Sequence, residues 1–111
     1  MSDLRESSRV DAQHFISFDI IDESGEKIAN GMGVSSDLSR HGVRLECREP
    51  IEPNTQILLH IAVGDEVLPV RGVVRHMEKV AEGRFNVGVR FEELPEVSIQ
   101  KLADSYPDLF K

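Results

Sequence analysis

The sequence predicts a small six-stranded antiparallel β-barrel followed by one C-terminal helix. The chain has 111 residues, a length typical of a single domain. Six short runs rich in β-branched and aromatic residues follow one another at close spacing, and a run with helical periodicity comes after them. Since short strands avoid exposed edges by closing into a barrel, we expect an all-β fold whose helix plugs one end.

The first strand is predicted over residues 14–22, where apolar side chains are dense, and the turn residues 23–26 end it. A second strand is expected over residues 27–37. Gly31 and Gly33 lie inside this second run. Glycines within a strand mark bulges or close backbone approaches, so we expect one or the other here.

The third strand is predicted over residues 42–48, which alternate apolar and charged side chains with a period of two. Cys47 shares the apolar face of Val43 and Leu45. We therefore expect a small buried core residue rather than a nucleophile. A polar turn with two prolines ends the strand, and a fourth strand is predicted over residues 55–63.

Two further strands complete the predicted barrel. Gly64 and Asp65 have the composition of a hairpin turn, and a fifth strand is expected over residues 66–78. A turn at residues 80–83 then leads to a sixth strand at Arg84–Phe91. In this last run the aromatic and valine side chains share one face and the polar side chains share the other.

The chain divides into three parts. Residues 1–13 carry few apolar side chains, which predicts a flexible N-terminal arm. Residues 14–94 form the predicted barrel. Residues 95–111 hold a helix packed on it, with Pro95 at the first helical position. Four apolar side chains repeat there at helical spacing before Pro107, namely Ile99, Leu102, Ala103 and Tyr106.

Composition excludes several classes of protein. A formal net charge of −7 disfavours binding to DNA or RNA, which depends on many neutralised phosphates. No apolar run long enough to span a bilayer and no signal-peptide pattern is found in the sequence, so we expect a cytoplasmic protein that does not insert into membranes. A single cysteine suits a reducing compartment.

No catalytic residue, metal site or cofactor is predicted. His14, His41, His60 and His76 are widely separated and lack paired ligand spacing with one another or with Cys47. The sequence has no Gly-x-Ser-x-Gly elbow and no Walker-type phosphate loop. An enzyme is therefore not expected.

Two short polar segments point to ligand binding. Arg5 and Arg9 stand four residues apart in the arm, where each can present a planar fork to an anion or a guanine edge. Asp37 and Ser39 are two residues apart, hence on one face of an extended segment, and Gly42 allows a tight turn. Taken alone, each segment also fits solvated arginines or a plain polar turn.

Together the two segments resemble the PilZ domain family, whose signature is Arg-x-x-x-Arg in an N-terminal arm followed by Asp/Asn-x-Ser-x-x-Gly at a strand of a small barrel. Residues 72–75 and 86–94 are also similar to the late strands of that family, so the resemblance extends from Arg5 to about Leu94. It implies a non-catalytic bacterial receptor or adaptor for the second messenger cyclic di-GMP. The resemblance further implies signalling by ordering of the arm and then by contact with an unidentified downstream protein.

The resemblance also assigns roles to five motif residues. Arg5 and Arg9 would wrap the ligand and meet guanine edges and phosphate oxygens. Asp37 would accept a hydrogen bond from a guanine amino group, and Ser39 would also hydrogen-bond the ligand. Gly42 would keep the backbone clear of the ligand.

Further residues are expected to contribute beside the motifs. Gly88, on the polar face of the last strand, is expected to leave a floor for a base. Arg40, Arg44 and Arg90 would add positive potential. Leu4 supplies no additional guanidinium next to the first motif arginine, which favours one ligand per domain over an intercalated pair.

Two other functions fit the predicted barrel less well. A PilZ-like protein-interaction module that binds no nucleotide is disfavoured because all five motif positions are present. A barrel that binds single-stranded nucleic acid needs a basic groove with stacking aromatic residues. That function ranks last for a chain of charge −7 with no tryptophan.

Overall fold

The structure, a computed structural model, describes residues 14–108 and 110. In this part of the chain six strands form one closed antiparallel barrel in the order β1-β2-β3-β6-β5-β4. One helix, α1, follows them, so the predicted fold class is confirmed. The elements are β1 His14–Ile21, β2 Lys27–Leu38, β3 Gly42–Cys47, β4 Gln56–Val63, β5 Glu66–Ala81, β6 Arg84–Phe91 and α1 Glu96–Ser105. The predicted arm lies outside the described residues.

The barrel interior is filled by the apolar side chains that alternate along the strands. Cys47 belongs to this core with 4% of its surface exposed, as predicted. Full burial of a valine, leucine or isoleucine side chain stabilises a fold by about 1.5 to 3 kcal/mol. The largest fully buried side chains are Ile16, Leu38, Leu45, Ile57, Leu59, Ile61, Val70, Val74, Val87 and Leu102.

Helix α1 packs on the barrel through Leu102 and Tyr106, both buried. The Tyr106 hydroxyl donates a hydrogen bond to the carbonyl oxygen of Ala62 on β4. Pro95 is the N-cap residue with ψ 152°, so the helix begins one residue later than predicted. An extended ψ at this residue places it before the first turn rather than inside it.

Strand β5 is longer than predicted, because it continues to Ala81 instead of ending at residue 78. Its last residues pair with the start of β6, with Lys79 opposite Phe85 and Ala81 opposite Arg84. Gly83 closes this hairpin with a φ of 69°, a conformation that glycine adopts without strain. The hairpin extends beyond the core, so its side chains are mostly exposed and show no apolar alternation.

The glycines of β2 mark close approaches rather than bulges. A Cβ atom on Gly31 would lie 2.7 Å from the Phe18 ring, and one on Gly33 would lie 3.1 Å from the Cys47 sulfur. The irregularities in register fall elsewhere, between Ser35 and Asp37 on β2 and, among others, at Val74–His76 on β5. Bulges re-aim the side chains beside them, and these two flank the candidate site.

Candidate functional site on the outer face of the barrel

A row of four residues crosses four neighbouring strands. Asp37 on β2 lies opposite Arg44 on β3, Arg44 lies opposite Gly88 on β6, and Gly88 lies opposite His76 on β5. Residues directly opposite each other in an antiparallel sheet share a face. Because adjacent strands are about 4.8 Å apart, the row spans roughly 14 Å. Arg44 and His76 are exposed, so the row lies on the outer surface.

The row forms the base of a cleft of about 640 Å³. Three arginines and two histidines line it together with one carboxylate, in a chain whose net charge is −7. A local excess of positive charge of this kind favours the approach of an anion. The lining residues are Asp37, Leu38, Ser39, His41, Gly42, Val43, Arg44, Arg75, His76, Gly88, Val89 and Arg90.

The Asp-x-Ser-x-x-Gly segment forms the turn between β2 and β3. The amide of Ser39 donates to the Gly42 carbonyl oxygen at 2.9 Å, and the amide of His41 donates to the Ser39 hydroxyl oxygen at 3.1 Å. The Ser39 hydroxyl lies 3.5 Å from the same Gly42 carbonyl. Local side-chain bonds of this kind favour turns over continued strand. Ser39 thus fixes the turn that places Asp37 and Gly42 on one side of the cleft.

Gly42 has a structural reason to be glycine that is independent of any ligand. A Cβ atom at this position would lie 2.1 Å from the carbonyl oxygen of Val89 on β6. The two strands also join here through a 2.8 Å hydrogen bond from the Phe91 amide to the His41 carbonyl oxygen. The motif glycine therefore allows the close contact of β3 with β6 that closes this side of the barrel.

Gly88 is covered by the ring of His76. A Cβ atom on Gly88 would lie 2.3 Å from Cε1, 2.8 Å from Nδ1 and 2.8 Å from Nε2 of that imidazole. These distances fit a ring lying across the glycine, because an end-on ring would leave the nitrogens much farther away than the carbon. The structure therefore places the imidazole of His76, and not open space, over Gly88.

The sequence-predicted residues are only partly brought together. Arg44 and Arg90 line the cleft with the motif residues. Arg40 is not among the lining residues, and its Nη2 atom lies 3.9 Å from a carboxylate oxygen of Glu96. The predicted ligand contacts of the arm, at Leu4, Arg5 and Arg9, lie outside the described residues.

The sequence analysis missed three charged or titratable residues of the cleft, namely His41, Arg75 and His76. His41 lies next to the motif turn, so its position could have suggested it. His76 reaches the row only because the register of β5 shifts between Val74 and His76. No local sequence pattern gives that shift.

Ion pairs outside the cleft join neighbouring strands. Asp19 accepts a 2.8 Å hydrogen bond from His60 and lies 3.3 Å from the Lys27 ammonium. The His60 bond is the main cause that lowers the pKa of Asp19, with Lys27 adding to it. Arg84 donates to Glu46 at 2.7 Å and lowers the pKa of that carboxyl. These pairs connect β1 with β4 and β2, and β3 with β6.

Burial raises the pKa of the Cys47 thiol to about 11, so its reactive thiolate form is scarce near neutral pH. Among residues 14–108 and 110, no cluster of three or more His, Cys, Asp or Glu side chains could hold a metal ion. Within the same residues, no helix is long and apolar enough to cross a membrane.

The fold and the cleft define a class of protein, a small β-barrel domain with a positively charged cleft on its outer face. The sequence model of the PilZ domain matches residues 3–106. The chain therefore belongs to the PilZ domain family, and the resemblance drawn from the motifs is confirmed.

Solved structures with a similar fold include two of K. pneumonia MrkH. The complex of MrkH with c-di-GMP is 15% identical to this chain with a TM-score of 0.62, and apo MrkH is 17% identical with a TM-score of 0.59. Each match covers 86% of this chain and 46% of the MrkH chain, so this chain spans less than half the length of MrkH. No curated protein sequence matches this chain.

Proposed function

We propose that this PilZ domain is a non-catalytic receptor for cyclic di-GMP. The observation that carries the proposal is the row of Asp37, Arg44, Gly88 and His76, which places a carboxylate, a cation and a flat ring side by side in one cleft. Cyclic di-GMP has two guanines and two phosphates, which offer amino donors, N7 and O6 acceptors and negative charge. Each group of the row has a matching group on this ligand.

The cleft supports a specific division of roles. Asp37 accepts a hydrogen bond from a guanine amino group. Ser39, in the turn that follows Asp37, hydrogen-bonds the ligand beside it. Arg44 and Arg90 lie on adjacent strands and meet phosphate oxygens or guanine N7 and O6, for which a guanidinium fork is suited. The complex of MrkH with c-di-GMP, which shares the barrel fold, supports the choice of ligand.

The motif arginines of the N-terminal segment are proposed to complete the site. Strand β1 begins at His14, which lies opposite Ser35, two residues before Asp37 on β2. Arg9 precedes His14 by five residues, and a connection of that length reaches at most about 17 Å. Arg9 is therefore within reach of the cleft. We propose that Arg5 and Arg9 close over the bound ligand and that a downstream protein reads the new surface.

Isothermal titration calorimetry with cyclic di-GMP tests the proposal, with cyclic di-AMP and GTP as control ligands. We expect saturation at one ligand per domain and weaker or no binding of the controls. Arg9→Ala and Arg44→Ala should each weaken binding about tenfold to a hundredfold, because a charge-assisted hydrogen bond is worth about 1.5 to 3 kcal/mol.

Arg48→Ala is the matched control, because Arg48 is exposed just after the end of β3 and does not line the cleft. It should bind like the wild type. Failure of the wild-type domain to bind cyclic di-GMP would overturn the proposal and leave an interaction module without nucleotide binding. Equal affinity of the wild type, Arg9→Ala and Arg44→Ala would overturn the assigned roles.

The part played by residues 1–13 has a separate test. Amide hydrogen exchange of residues 2–12 should slow when cyclic di-GMP saturates the domain, because contacts of Arg5 and Arg9 with the ligand would hold the segment. Ordering costs about 1 to 2 kcal/mol per residue, and the few apolar side chains there cannot offset it. Fast and equal exchange in both states would show that this segment does not carry the signal.

A further inference from the structure

We infer that the imidazole of His76 is the stacking platform for one guanine of the ligand, an inference that rests on the proposed function. One face of the ring covers the space that a Cβ atom of Gly88 would take. The residue is nevertheless exposed and lines the cleft. Its other face is therefore open toward the ligand, and a flat ring held in this way suits a purine.

The strand order places a recognition group beside the platform. Arg44 lies directly opposite Gly88 on the neighbouring strand, about 4.8 Å across the sheet. A guanine lying on His76 would turn one edge toward this guanidinium, which can bond N7 and O6 together. Stacking below and a bidentate contact at the edge would fix both the height and the orientation of the base.

The position of the imidazole also explains why residue 88 is a glycine. Any side chain there would begin where the imidazole lies, since the ring atoms are 2.3 to 2.8 Å from the Cβ position. The ring would then have to turn away from β6. Gly88 thus leaves room for the imidazole, and substitution of Gly88 should weaken ligand binding by displacing His76.

The test compares cyclic di-GMP affinity by calorimetry in wild type, His76→Ala, His76→Phe and Gly88→Ala. Loss of a stacking partner weakens binding by about 5-fold to 100-fold, so we expect that loss in His76→Ala. His76→Phe keeps a flat ring and should stay within about threefold of wild type. Gly88→Ala should resemble His76→Ala because it displaces the ring.

A double variant identifies the route by which Gly88 acts. If Gly88→Ala works by displacing the imidazole, adding it to His76→Ala should cause little additional loss, because coupled substitutions do not add. Fully additive losses would overturn the support role of Gly88. Thermal unfolding of each variant checks that the barrel remains folded.

Nuclear magnetic resonance supplies a readout that a purely structural role would not change. Ligand binding should shift the Cε1 proton of His76 by the ring current of the stacked guanine. The corresponding proton of His60, on β4 away from the cleft, should not move. Wild-type affinity in His76→Ala, or an unmoved His76 signal in the ligand-bound wild type, would overturn this inference alone. Failure of the wild type to bind would instead overturn the proposed function and this inference with it.

Discussion

Substitution by alanine should affect the stability of the barrel very differently at Gly42 and at Gly88. An alanine Cβ at Gly42 would lie 2.1 Å from the Val89 carbonyl oxygen, and one at Gly88 would lie 2.3 Å from the His76 ring. Both distances are far shorter than ordinary van der Waals contacts of 3.4 to 4 Å. At Gly42 the obstacle is a backbone oxygen between paired strands. At Gly88 it is the end of an exposed side chain.

The cost at Gly42 follows from the need to separate β3 from β6 by more than 1 Å. Overpacking of this kind costs about 1 to 3 kcal/mol. The neighbouring hydrogen bond from the Phe91 amide to His41 would weaken as well, adding about 1 kcal/mol. Gly42→Ala should thus lower the free energy of unfolding by about 2 to 4 kcal/mol, a large part of a typical 5 to 15 kcal/mol.

Gly88→Ala should leave the free energy of unfolding within about 0.5 kcal/mol of wild type. The imidazole of His76 can rotate into solvent, and alanine loses less backbone entropy on folding than glycine. Urea unfolding followed by circular dichroism measures both variants. The melting temperature of Gly42→Ala should fall by roughly 10 °C or more. Equal unfolding midpoints for the two variants would refute the reasoning from contact distance and obstacle type.

Three further predictions concern the rest of the barrel. The pKa of Asp19 is lowered chiefly by the hydrogen bond from His60, so its stabilisation is present above about pH 4 and lost as the pH falls through the lowered value. Asp19→Asn should flatten the acid-unfolding curve there, and an unchanged curve would contradict this. Cys47 should react slowly with iodoacetamide at pH 8 in the native protein and fast in urea, because burial raises its pKa to about 11; equal rates would count against it. Tyr106→Phe removes the bond to Ala62 and should cost about 1 kcal/mol in urea unfolding, whereas an unmoved midpoint would disprove that contribution.

The fold could be predicted from the sequence where buried side chains alternate with a period of two residues. In β3 every second side chain is buried, and in β6 Val87, Val89 and Phe91 are buried on one face, so local alternation predicts both strands and their faces. The end of β5 was missed because Lys79 to Ala81 are held by pairing with β6 outside the core, and such pairing leaves no apolar signal. The helix start was predicted one residue too early, because proline is common at the first helical position, whereas Pro95 is the N-cap residue.

The candidate site was only half accessible to sequence analysis. Asp37, Ser39 and Gly42 form a local motif, and local motifs are readable without a structure. His76 lies on the same face but two strands away from β3, on β5. It reaches the site through the pairing of β5 with β6 and a shift in register. Which residues face each other across strands depends on long-range register, so a single sequence without strand pairing could not place His76 over Gly88.

The two ends of the described chain meet at the same place. His14, the first residue of β1, lies 3.5 Å from the Asp108 carboxylate and packs edge-on against Tyr106 with ring centroids 4.6 Å apart. Phe110 bridges to Leu38, between the two polar residues of the Asp-x-Ser motif. Attachments made at residues 14 and 110 would therefore leave the barrel side by side, next to the candidate cleft. Domains with adjacent ends tolerate insertion into other proteins, so the barrel of residues 14–110 is suited to grafting into a host loop.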